Sequence, residues 1–207
     1  MTPLSRRAFT AAATAALVAG CGGHRAGRAA ATVRPAGSSG SATAAPPTAK
    51  SVRALGRSVP VRLQVPAIGV DTPLMRLGLA ADGTVQVPPI APHDRAGWYR
   101  NSPTPGQTGP SVILAHVTLG AYGDGVFRHL AQLRPGDGVV ARRADGTAPR
   151  FTVTSVRTVA KSKFPTDAVY GDVDRPELRL ITCGGPRSGT GYLDNVIVFA
   201  ELASAGT

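Results

Sequence analysis

The chain has 207 residues, and its 23 Lys+Arg against 12 Asp+Glu give a formal charge of +11. Residues 1–58 hold eight of those basic residues and no acidic one, so the remaining 149 carry only +3. The excess charge sits in the N-terminal segment, where it suits anionic lipid headgroups or wall polymers; the rest has no basic stripe interleaved with aromatics, which argues against a nucleic-acid partner.

Residues 1–20 read as an export signal with its parts in order. Ser5-Arg6-Arg7-Ala8-Phe9 carries a twin-arginine pattern, and an uncharged apolar stretch follows from Ala11 to Ala19. General secretory signals also carry paired basic residues, so the export route stays open. The stretch is shorter than the roughly 20 apolar residues that span a bilayer. It ends in Val18-Ala19-Gly20-Cys21, an apolar residue and two small ones before a cysteine, which resembles a bacterial lipobox. On that reading Cys21 is diacylated and becomes the mature N-terminus, and two acyl chains hold it stably at the membrane. The plainer reading is a cleaved signal with an incidental cysteine. Residues 21–58 are dominated by Ala, Gly, Ser, Pro and Thr and contain no aromatic and no acidic residue. Such a composition buries too little apolar surface to offset ordering entropy, so a disordered tether is expected.

Residues 59–207 have the size of one hydrophobic core. Apolar or alternating runs recur at Val61–Val65, Thr84–Val87, Ser111–Ala115, Gly138–Ala141, Phe151–Val159, Leu178–Thr182 and Val196–Glu201. Turn residues separate them, including Ala-Asp-Gly at 81–83 and 144–146 and Pro-Gly-Asp at 135–137. Many short strands with such punctuation predict an all-β domain, a barrel or a sandwich. The spacing of Val126, Phe127, Leu130 and Leu133 predicts a short helix over Gly125–Leu133.

The chemistry-bearing residues are few. Cys183 is one of two cysteines and ends the apolar run Leu178–Thr182, followed by Gly184-Gly185. Exported proteins pair their thiols or lose them. A lone thiol at a strand end is therefore either a nucleophile kept reduced for chemistry or a small buried core residue. Of the four histidines, His24 lies in the tether, His93 in a Pro-rich loop and His129 in the predicted helix. His116 directly follows the apolar run Ser111–Ala115, and a strand end places a side chain at a rim. A cysteine nucleophile needs such a base or cation beside it, although a lone histidine also serves structure. No CxxC or HxxxH spacing suits zinc, and no acidic cluster suits calcium. Gly184-Gly185 lacks the lysine and helix of a phosphate loop.

Thr182-Cys183 after an apolar strand, a histidine ending an earlier strand and an arginine beyond the cysteine resemble the sortases, the cysteine transpeptidases of Gram-positive surfaces. The chain is most similar to the actinobacterial class E/F. Its matches run in order from Arg62-Leu63-Gln64-Val65-Pro66 through Leu133-Arg134-Pro135-Gly136-Asp137, Phe164-Pro165-Thr166 and Val169-Tyr170-Gly171 to Arg175–Gly185 and Asn195–Ala200. The resemblance implies one closed β-barrel of about eight strands with one or two short helices. It implies Cys183 as nucleophile, His116 as acid–base, an arginine that stabilises the oxyanion, and no cofactor or metal. It also implies sorting-signal-bearing surface proteins as substrates and a peptidoglycan precursor or other amine as acceptor, at the outer face of the cytoplasmic membrane. In the better-known branch the arginine starts the last strand, where this chain has Asn195. In the class resembled here it lies in the loop after Cys-Gly-Gly, and Arg187, the sole arginine beyond Cys183, takes that place, ahead of Arg175 and Arg179. Thr182 is expected to position substrate or to shape the thiol's surroundings. Two departures stand: Ala115 replaces the family's glycine before the histidine, and the loop after the cysteine is two residues shorter. The shorter loop and the absent arginine at the last strand leave open an alternative, a catalytically silent wall-binding lipoprotein that retains the barrel.

Overall fold

The computed structural model describes residues 52–90, 95–189 and 191–206. The expected export signal, Cys21, most of the tether, His24 and His93 lie outside the described residues. Eight strands and one short α-helix follow one another: β1 (Pro60–Val65), β2 (Val70–Leu77), β3 (Ala96–Tyr99), β4 (Gly109–Leu114), β5 (Gly138–Arg143), β6 (Arg150–Ala160), α1 (Thr166–Tyr170), β7 (Pro176–Ser188) and β8 (Gly191–Ser204). They close into a barrel in the order β1-β2-β3-β4-β7-β8-β6-β5. The expected all-β closed barrel of eight strands is what forms. Pairing is antiparallel except between β2 and β3 and between β4 and β7.

Two local expectations are corrected, and two strands, β2 and β3, are additions to the expected runs. Thr84–Val87 is not a strand; only an isolated bridge joins Val85 to Leu79. β2 and β3 carry no clean alternation, and β2 contains Pro73. That proline, with no N–H to give, sits where β2 stops pairing β1 and starts pairing β3. The run Gly125–Leu133 is not an α-helix. Its bonds run three residues back, Arg128 to Gly125, Leu130 to Phe127 and Leu133 to Leu130, with a 3-10 turn at Leu130–Gln132. Phe127, Leu130 and Leu133 are spaced by three, the 3-10 period, and all three enter the core.

β4 and β7 lie side by side and are buried on both faces, which is why they read as unbroken apolar runs rather than alternating ones. Their odd β4 and even β7 positions, Ile113, Leu178 and Leu180, fill the barrel with Trp98, Phe127 and Phe151. The opposite parity, Val112 and Ile181, joins Ile197 and Phe199 of β8 in a second apolar cluster outside the barrel, covered by Phe164, Val169 and Tyr170 of the β6–β7 connection. The end of the expected tether is not free. Leu55 donates its N–H to Gly106, Ser58 to Thr104 Oγ1, and the Arg143 guanidinium donates to the Gly56 carbonyl at 2.8 Å. Apolar contact and these bonds order residues that composition alone assigns to a linker.

Candidate active site

The two-residue parity of the strands decides where His116 and Cys183 point. β4 and β7 pair in parallel with a constant offset of 67 residues, ending at Leu114 opposite Ile181. The same offset carried two residues further sets His116 beside Cys183. His116 has the parity of Val112, and Cys183 that of Ile181, so both belong to the outer face, next to the second apolar cluster. Both are half-buried, and Cys183 is a free thiol. With Arg187 they line one cavity of about 250 Å³. A larger recess of about 460 Å³ lies further along the fold against Tyr99, Val112 and Tyr170 and holds neither group; size alone does not mark the chemistry.

The backbone at His116 is held on three sides. Thr182, 4% exposed, turns inward and donates its hydroxyl to the Ala115 carbonyl at 2.8 Å. The Thr182 hydroxyl thus ties the middle of β7 to the residue before the histidine, rather than facing outward to substrate. Phe127 donates its N–H to the His116 carbonyl at 2.9 Å. The chain reaches that carbonyl because residue 125 is glycine: a Cβ there would lie 2.3 Å from the His116 oxygen. The imidazole Nε2 meets the Pro88 carbonyl at 2.6 Å.

Arg187 stands on a strand, not on the loop expected for it. β7 and β8 form a hairpin that continues past the cysteine, with Cys183 opposite Asn195, Gly184 opposite Asp194 and Arg187 opposite Tyr192. Between the last two pairs β7 carries two residues and β8 one, a bulge with Gly185 at φ +71°. Such bulges bend a strand and re-aim its side chains, and here the bend brings Arg187 to the cavity. Its guanidinium lies over the Tyr192 ring at 5.2 Å, and the Tyr192 hydroxyl reaches Thr118 Oγ1 at 3.5 Å. Asn195, beside the cysteine, donates to the Thr182 carbonyl at 3.2 Å.

Arg175 and Arg179 are committed elsewhere. Arg179 is buried, bonds Glu177 and the Ala168 carbonyl, and stacks on Phe199 at 4.6 Å. Arg175 joins Glu177 and Glu201 at the far end of β7. Among the described residues the cavity is thus lined by two cations, Arg187 and Lys161, and by no carboxylate. That is a setting for negative charge that develops during a reaction. Among the described residues no group of three or more His, Cys, Asp or Glu is placed to hold a metal ion. Tyr170, beside the second recess, has its hydroxyl pKa pushed up by burial and by Tyr99. The sequence reading assigns no role at the site to Gly125 or Pro88, and of Gly184-Gly185 it does not show the bulge; the Pro-Pro dipeptide is the visible sign of Pro88.

The family model described as Sortase domain matches residues 63–203. Among solved structures, SrtA sortase from Actinomyces oris superposes with a TM-score of 0.53 at 26% identity, over 78% of this chain and 87% of that one. Sortase C-1 from the same organism gives 0.52 at 23% identity over 70% and 74%. A lid mutant of sortase A from Corynebacterium diphtheriae gives 0.53 at 19% over 72% of each chain. At those lower identities the likeness is one of fold. Comparison with curated protein sequences gave no match.

Proposed function

This chain belongs to the sortase family, and from that premise we propose that it is a membrane-tethered extracellular transpeptidase that works through Cys183, His116 and Arg187. The observation that carries the reading is the cavity that the free thiol of Cys183 shares with His116 and Arg187. The Cys183 thiolate attacks the carbonyl carbon of one peptide bond in a sorting signal. The carbon–nitrogen bond breaks, the leaving amine takes a proton from His116, and a thioester to Cys183 remains. An amine of the cell wall then attacks the thioester and gives its proton to His116; the new amide forms and the thiolate departs. Arg187 supplies fixed N–H donors to the oxyanion of both tetrahedral intermediates. Asn195 cannot supply the charge, and its carboxamide already donates to the Thr182 carbonyl. On the same reading the lipid on Cys21 keeps the enzyme at the outer face of the cytoplasmic membrane, where its substrates emerge.

The test is incubation of the full-length protein with a library of sorting-signal peptides and an amine donor, read by mass. The expected result is an acyl adduct on Cys183 and an amine-exchanged product, both abolished by Cys183→Ala. Arg187→Ala is expected to lower kcat by about 10²- to 10³-fold, the usual effect of losing one oxyanion donor. Full cleavage and transfer by Cys183→Ala overturns the reading.

A further inference from the structure

The segment between β2 and β3 reaches the site from outside the core of the fold, and the expectations for the catalytic groups do not use it. It leaves β2 at Gly78, turns at Ala81–Thr84, where Asp82 accepts from both the N–H and the hydroxyl of Thr84, and returns to Gly78. Gln86 closes the return twice. Its N–H donates to the Gly78 carbonyl at 3.0 Å, and its side-chain oxygen accepts from the Gly78 N–H at 2.8 Å. From that fixed base Val87-Pro88-Pro89-Ile90 runs to the catalytic cavity, where Ile90 is part of the wall. Val87, Pro89 and Ile90 are exposed; Pro88 alone is buried, and its carbonyl meets His116 Nε2.

The direction of that carbonyl is set by covalent geometry. The ring of Pro88 fixes its own φ near about −65°, and the ring of Pro89 confines the ψ of the residue before it to roughly +120 to +160°. A Pro-Pro step therefore presents the first carbonyl with little freedom in either torsion. A carbonyl oxygen only accepts, so a 2.6 Å contact to an imidazole nitrogen requires the proton on that nitrogen. The other nitrogen, Nδ1, is then the one with a lone pair, and which nitrogen does the chemistry follows from the bond the other makes.

We propose that the Pro88 carbonyl is the positioning group of His116: it holds the proton on Nε2, fixes the plane of the ring, and assigns Nδ1 to the proton traffic with sulfur and amine. The proposal rests on the reading of His116 as the acid–base. It gives the diproline the part that a carboxylate plays in other nucleophile–histidine pairs, with a group that does not titrate.

The experiment uses full-length protein with ¹⁵N-labelled histidine, and its spectroscopic arm is independent of turnover. Long-range ¹H–¹⁵N correlations of neutral His116 are expected to show the proton on Nε2. Pro89→Gly, which frees the Pro88 torsions, and Gln86→Ala, which loosens the base of the segment, are expected to give a mixture of tautomers. Both changes are on exposed residues. In both variants kcat for amine transfer should fall about tenfold with KM within about twofold, a part of the 10²- to 10⁴-fold that acid–base catalysis contributes. A proton on Nδ1 in the parent, unchanged tautomers in both variants, or a rise in kcat when the segment is loosened overturns the proposal; the last would mean that Pro88 blocks the ring. His116→Ala separates the two readings. Full activity there removes the acid–base role, whereas an inactive His116→Ala beside mixed tautomers in the parent removes only the positioning role.

Discussion

Gly185 is where one residue decides the position of another. It adopts φ +71°, and a Cβ built on it would lie 2.0 Å from Asp194 Oδ2. Left-handed backbone costs an L-residue roughly 1–2 kcal/mol before any collision is counted, so Gly185→Ala must shift the hairpin or flatten the bulge. Either response moves Arg187 relative to Cys183. The expected outcome is a fall of about 10²-fold in kcat, the scale of a 1 Å misplacement, with the far-ultraviolet circular dichroism of the barrel unchanged. Thr182→Val tests the other tie. It keeps the volume but removes the hydroxyl whose bond the Ala115 carbonyl accepts, at a cost of about 1–2 kcal/mol in chemical denaturation, and Thr182→Ser should restore the stability. These residues show how far the sequence is legible at this scale. Cys183 and His116 stand out because thiols and imidazoles are scarce in the chain and each ends an apolar run. Arg187 is implied by the resemblance, as the sole arginine beyond the cysteine, but its place on a strand is hidden, because the hairpin continues through Gly-Gly-Pro, a string that reads as loop. Gly125 is invisible for a plainer reason: what it avoids is the carbonyl of a residue nine positions away.

At the scale of elements, the outer face of β4, β7 and β8 is held to the β6–β7 connection by apolar contact and by Arg179, which is itself half of a buried ion pair within β7. The Arg179 and Glu177 side chains are 4% and 7% exposed and bond each other, while Arg179 also reaches the Ala168 carbonyl inside α1. Removing one member of a buried pair leaves the other uncompensated. Glu177→Ala is therefore expected to cost about 3–5 kcal/mol, seen as a lower denaturation midpoint. Glu177→Ala with Arg179→Met, which removes the stranded charge, should recover much of that loss. A double variant no more stable than Glu177→Ala alone would contradict this account. The elements that were legible are those whose burial is simple. β4 and β7, apolar on both faces, and β6 and β8, long and β-branched, announce themselves. β2 and β3 do not: one changes partner at Pro73, and the other is a four-residue strand whose Gly97 accommodates Leu77. The helix expected over Gly125–Leu133 failed because a spacing of three in a short apolar run satisfies a 3-10 path as well as an α-helical one.

Across the whole molecule, β4 separates two ends with different tasks. His116 follows its last residue, and the Thr104–Gly106 turn, where Leu55 and Ser58 are bound, precedes its first. Six residues of strand span about 20 Å, so the chain enters the barrel at the end away from the thiol. Arg143 organises that entry. Its side chain, 2% exposed, donates to the Gly56 and Pro105 carbonyls, to Thr147 Oγ1 at 2.7 Å and to Asp145 at 2.7 Å. Arg143→Ala strips donors from several acceptors at once and is expected to cost about 2–4 kcal/mol. Proteolysis within residues 52–59 should quicken, while kcat at a temperature where the barrel is folded stays within about twofold. Asp145 adds a pH dependence to the same end. The Thr147 hydroxyl and N–H, with Arg143 beside them, hold its carboxyl below the usual carboxylate range against a smaller opposing cost of burial. A carboxyl whose folded pKa is depressed contributes stability above its unfolded value, about 3.9, and loses it as pH falls through the folded value. The melting temperature of the parent should therefore exceed that of Asp145→Asn at pH 6, and the gap should close as pH drops below about 4. A gap that persists unchanged at pH 2.5 would mean that Asp145 acts through the shape of the β5–β6 turn and not through its charge.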